Sequence, residues 1–145
     1  MIRDMELRPD WGLVPLRLVV GIVFIAHGWL KLSSFGIPGT AKFMGDLGIP
    51  MPAVAAICII TLELIGGIGL VLGGGTRLLA ALLSADMLGA IFFAKRNAGF
   101  FAPRGWEFEL TLFAACVTLA IVGAGGASID AAFRGHRAPG EGTGT

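Results

Sequence analysis

Four apolar stretches alternate with short polar or glycine- and proline-rich breaks along the 145 residues. They run from about Leu13 to Leu32, Ala53 to Gly73, Thr76 to Lys95 and Glu107 to Ala124. Each is close to the ~20 residues a helix needs to cross ~30 Å of hydrocarbon. The pattern predicts an all-α membrane protein, an antiparallel bundle of four transmembrane helices within residues 13–130. Residues 1–12 form a polar leading segment, and the Gly/Pro-rich residues 131–145 are expected to be a disordered tail.

The breaks set the topology. Between the first two stretches, Gly36, Pro38, Gly39, Gly45, Gly48, Pro50 and Pro52 exclude a long helix and leave one amphipathic turn over Ala41–Leu47. Gly74 and Gly75 alone join the second stretch to the third, which dictates a hairpin. Lys95-Arg96-Asn97 and the aromatic run from Gly99 to Pro103 suit a membrane interface. Both termini and the Gly74-Gly75 turn then share one face, side A. Lys and Arg number six there (Arg3, Arg8, Arg17, Arg77, Arg134, Arg137) against five on side B (Lys31, Lys42, Lys95, Arg96, Arg104). That slight excess points to side A as cytoplasmic.

Composition agrees with lipid as the solvent. Hydrophobic residues make up 55% and charged residues 14%, against roughly 25% charged in an ordinary soluble domain. The 23 glycines sit largely inside the apolar runs, where they let membrane helices approach closely. A formal charge of +1 gives no reason to expect nucleic acid. The first apolar run follows mixed charges (Arg3, Asp4, Glu6, Arg8, Asp10) and precedes no small-residue cleavage site, so it reads as a retained helix.

The candidate chemistry lies in the residues that a bilayer rejects. Glu63 and Asp86 each fall about ten residues from the shared hairpin, ~15 Å at the helical rise, hence near the midplane. A central Asp costs about 2.5 to 3.5 kcal/mol on insertion, so these acids must face the bundle interior. Glu63 shares a face with Gly66 and Gly67, while Ala81, Ala85 and Gly89 form a small-residue row beside Asp86 that reads as a helix contact. Arg17, one turn inside the first helix, is the counter-charge expected for Glu63; pairing keeps that acid ionised, and its absence leaves it protonated. Towards side B, His27 and Lys31 are i,i+4 neighbours level with Glu107 and Glu109, which makes His27–Glu107 a candidate proton-relaying contact. Arg77, Lys95, Arg96 and Lys31 itself also read as helix-end markers.

Other cofactor chemistry finds no support in the residue pattern. His27 is the single histidine of the apolar runs, so bis-histidine haem is excluded. Cys58 and Cys116 have no C-x-x-C spacing, and no zinc, iron–sulfur or phosphate-loop motif occurs.

Taken in order, the residues resemble the DoxX family of small four-helix membrane proteins. Arg17 and Gly21, then His27-Gly28 and Lys31, are similar to the family's arginine followed by H-G-x-x-K. Glu63-Leu64-Ile65-Gly66-Gly67 with Leu70 and Gly73 resembles its E-x-x-G-G segment. Arg77, Met87, Ala90 and Glu107 occupy matching places, and Gly123 to Asp130 resembles its G-P-G-x-x-S-L-D ending, with Ala124 in place of proline. Asp86 falls outside the pattern. The resemblance implies association with quinone-linked oxidoreductase complexes or with membrane complexes that counter oxidative stress.

Three functions compete. In the first, the chain is the membrane subunit of a redox complex. Arg17, His27, Lys31, Glu63, Asp86, Glu107 and Glu109 are its candidate pocket residues, and Glu63 and His27 its candidates for handling quinone protons. A second protein would supply the electron-transfer centre. The others are a small-solute or proton transporter, which four helices would build by oligomerising, and a non-catalytic anchor or assembly factor.

Overall fold

The computed structural model describes residues 9–135, and every regular element among them is helical. The first helix, α1 (Pro9–Leu30), runs on through a π-helical segment, Lys31–Phe35. Gly36, at φ +65°, turns the chain into α2 (Gly36–Asp46). Then follow α3 (Pro52–Leu72), α4 (Thr76–Gly89) with a second π segment (Ala90–Lys95), α5 (Glu107–Val122) and α6 (Ile129–Gly135). Three helical stretches are long and apolar enough to cross a membrane, namely Trp11–Asp46, Pro52–Leu72 and Thr76–Lys95. α5 has 16 residues, or ~24 Å of helix.

Several boundaries differ from expectation. α1 is already helical at Pro9, the first described residue, and so extends beyond the expected start at Leu13. The loop expected to hold one turn forms the 11-residue α2, since Pro38 lies in its first turn, where proline is tolerated. Part of the expected tail is helical: α6 extends to Gly135. Arg3, Asp4, Glu6, Arg8, His136 and Arg137 lie outside the described residues.

α1 packs mainly along α3, and α4 along α5, while α2 lies against α3. Glycine sets the first of these contacts. A Cβ on Gly21 would meet the Gly67 carbonyl oxygen at 2.7 Å, and one on Gly67 would meet the Gly21 carbonyl oxygen at 2.7 Å. The two backbones therefore touch, which in lipid is a main source of helix association. Gly66 accommodates Leu83 of α4 from the adjoining face. Val20, Phe24, Leu70, Ala80, Leu83, Met87, Leu112, Cys116 and Leu119 complete a shared core.

The outward faces are apolar and open, including Ile22, Ile65, Leu78 and Ile121. In water that surface would be a liability; against acyl chains it needs no cover. One expected contact face is not one. Ala81 and Ala85 are exposed, and Gly89 has no atom within 4 Å of a built Cβ. α4 instead buries Thr76, Ala80, Leu83 and Met87, because the larger residues of that row fill the interhelical space.

The α3–α4 hairpin is closed by main-chain bonds. Gly73 takes the left-handed conformation (φ +70°), and the N–H groups of Gly73 and Gly74 return to the Leu70 and Gly69 carbonyls, a Schellman ending.

Candidate functional site

At the hairpin end, Arg17 is 4% exposed. Its guanidinium donates to the carbonyls of Leu70 (3.3 Å) and Val71 (2.8 Å) at the end of α3, and to that of Ala127. Both α3 carbonyls are among the last four of that helix, and that of Leu70 also accepts the Gly73 N–H at the turn. Asp130 complements Arg17 by accepting where the arginine donates. Its carboxylate takes hydrogen bonds from Gly75 N (2.8 Å) and Thr76 N (3.0 Å), capping α4 from a distant part of the chain. Burial acts to raise the Asp130 pKa, but the bonds from Thr76 and Gly75, with Arg134 nearby, hold it below the usual carboxylate value.

Arg17 therefore does not pair with Glu63, contrary to the expectation from sequence. The register explains why. With Gly21 against Gly67, Arg17 lies level with Val71, and Cα–Cβ bonds tilt towards a helix's N-terminus. Arg17 reaches away from Glu63, and Lys31, in the π segment that continues α1, reaches back towards it. Lys31 Nζ binds both Glu63 carboxylate oxygens, at 2.8 and 2.7 Å. The Glu63 side chain is 3% exposed and that of Lys31 27%, so Lys31 is an ion-pair partner rather than a bare helix-end marker.

A second ion pair lies at the same end. Lys95 Nζ meets Glu109 Oε1 at 2.8 Å and also donates to the Gly105 carbonyl. Lys31 opens the first π segment and Lys95 closes the second; such local widenings recur at functional sites. The expected His27–Glu107 contact is absent. Glu107 turns outward to accept the Ala102 N–H (2.7 Å), as its place in the first turn favours. His27 bonds the Val23 carbonyl through Nδ1 (2.9 Å) and stacks on Phe108, with ring centroids 5.7 Å apart.

Between these groups lies a cavity of about 490 Å³. Its walls are mostly apolar, with Phe24, Met44, Leu62, Met87 and Phe93 among them, and His27, Lys31, Glu63, Asp86 and Glu109 supply its polar groups. Asp86 lines the same wall as Glu63, and its Oδ2 is buried without a donor. Cys58 of α3 is exposed and lies on the cavity wall; Cys116 is fully buried. Of the seven candidates from sequence, five line the cavity, and Arg17 and Glu107 do not. Sequence reading missed Lys95, Asp130 and the α2 wall of Phe43 and Met44. Asp130 caps α4 from far along the chain, and no local pattern around it signals that role.

Apolar helices long enough to span a bilayer define an integral membrane protein, here with a mostly apolar cavity that carries a few ionisable groups. The chain belongs to the DoxX family, whose model matches residues 12–96. It is 34% identical to "Putative oxidoreductase CatD" of Bacillus subtilis, over 82% of this chain and 84% of that protein. It is also 33% identical to "Inner membrane protein YphA" of Escherichia coli (79% and 84% covered) and 32% identical to "Inner membrane protein YqjF" of the same organism (83% and 91%). No solved structure matches the chain.

Proposed function

We propose that the protein is the membrane subunit of a redox assembly, and that its cavity holds an amphiphilic ring of the quinone type. The observation that carries this reading is the Lys31–Glu63 ion pair, with Asp86 on the same wall of an otherwise apolar cavity of about 490 Å³. An aromatic ring fits the hydrophobic walls, and its oxygens meet groups able to exchange protons. Two carboxyl groups on one wall can hold one proton between them, and a lysine beside them balances the charge left when it departs. The name carried by the Bacillus subtilis relative supports an oxidoreductase setting. In this reading a partner protein supplies the electron-transfer centre.

In this reading α5 is the fourth crossing, completing an antiparallel four-helix bundle with both termini on the cytoplasmic side. Single-cysteine labelling of intact cells at Ala98 and Ser128 tests that topology: the two positions label from opposite faces.

The function is tested by purifying the protein in mild detergent and identifying retained lipids and proteins by mass spectrometry. Wild-type protein is expected to retain a quinone that Glu63→Gln loses several-fold. Absence of quinone from both, with no quinone protection of Cys58 from alkylation, would defeat the proposal. The same carboxyl pair supports a second reading, passage of a proton or small solute, which liposome flux unaffected by Glu63→Gln would remove.

A further inference from the structure

We infer that the cavity recognises its occupant by accepting hydrogen bonds, and so takes the reduced, dihydroxy form of such a ring in preference to the oxidised, dicarbonyl form. The inference rests on the reading that the cavity holds a quinone-type ligand, and adds which form it holds.

The polar atoms of the wall are unevenly committed. Lys31 Nζ is engaged by both oxygens of Glu63, and Lys95 Nζ by Glu109 Oε1 and the Gly105 carbonyl. Asp86 Oδ2 and Glu109 Oε2 are buried with no donor. His27 adds a third acceptor. The Val23 oxygen beside its Nδ1 can only accept, so Nδ1 carries the hydrogen, and Nε2 of the neutral ring keeps a lone pair. Lys31 and Lys95 each keep a third N–H, but only Lys31 lines the cavity, so three acceptors on the wall face one spare donor.

Both unpartnered carboxylate oxygens are covered by their neighbours. The terminal torsion of a carboxylate is soft, so a small rotation brings either oxygen to the cavity surface. A dihydroxy ring brings two donors to a wall that lacks them. A dicarbonyl ring brings two further acceptors and leaves the buried oxygens unsatisfied, the situation in which binding sites discriminate most steeply. Phe24, Phe43, Phe93 and Phe108 supply aromatic surface to either form alike, so the discrimination falls on the polar wall.

The experiment compares three probes of nearly equal shape on the wild-type protein without oxygen: an alkyl hydroquinone, its quinone, and the bis-methyl ether of the hydroquinone. Occupancy is read as protection of Cys58 from maleimide, with the fully buried Cys116 as the internal reference. The hydroquinone is expected to protect at concentrations at least ~10-fold lower than either analogue. Asp86→Asn, which puts a donor beside the acceptor, should move the preference towards the quinone. Equal protection by quinone and hydroquinone, or by the ether, overturns the inference and leaves the cavity reading standing. No protection by any probe overturns both. The ether comparison needs no variant, so a misfolded Asp86→Asn does not block the test.

Discussion

At the hairpin end, Arg17 donates to main-chain carbonyls at the end of α3 and before α6. At the other end, Lys31 and Lys95 each face a carboxylate on a neighbouring helix. The hairpin end is closed by backbone contact at Gly21–Gly67 and by the Asp130 cap; the other end encloses the cavity. A cation set on helix-end carbonyls satisfies groups that the helix leaves short of donors, and those carbonyls cannot change charge. A cation set on a carboxylate beside a cavity leaves a group whose charge a ligand can alter. The two ends thus separate holding the fold from binding.

That separation breaks down if packing at the hairpin end proves dispensable. Gly67→Val should have the largest effect, because its Cβ would meet the Gly21 carbonyl at 2.7 Å and backbones cannot yield as a flexible side chain can. We expect a loss of about 3 kcal/mol or more and little folded protein on size exclusion in detergent.

Arg17→Met and Glu63→Gln sharpen the contrast directly. Arg17→Met removes donors from carbonyls and should cost about 2–3 kcal/mol in thermal stability while leaving Cys58 protection by ligand unchanged. Glu63→Gln keeps the shape and some hydrogen bonding, so it should cost less, about 1–2 kcal/mol, yet abolish that protection. If the two variants exchanged these effects, the division between the ends would be wrong.

Asp130→Asn should cost about 1 kcal/mol, the usual worth of a helix cap, and alter the pH response. Because the folded-state pKa is held below the unfolded one, the carboxylate's contribution is complete at neutral pH. It is lost as pH falls from about 4 through the folded value. Melting curves between pH 3 and 7 should show an acid-side loss in the wild type that is smaller in the variant. The smallest effect is expected for Gly89→Ala, which meets nothing within 4 Å on the cavity wall. Its stability should stay within about 0.5 kcal/mol, with ligand affinity slightly altered.

Local residue patterns are enough to make the chain helical and place it in lipid, because insertion depends on summed transfer free energies, and these follow composition and length. They also mark Glu63 as buried, since an acid in the middle of an apolar helix beside Gly66 and Gly67 has nowhere else to point. Only the tertiary structure decided the partners. Arg17 lies on α1 and Lys31 opens the π segment that continues it, 14 positions further on. Which one meets Glu63 depends on where α1 crosses α3 and on side chains leaning towards the helix N-terminus. The cap on α4 from Asp130 and the α2 wall of the cavity are likewise long-range contacts that no local pattern carries. Helix existence is a property of neighbouring residues; the pairing of charges is a property of register, and in this bundle two glycines set it.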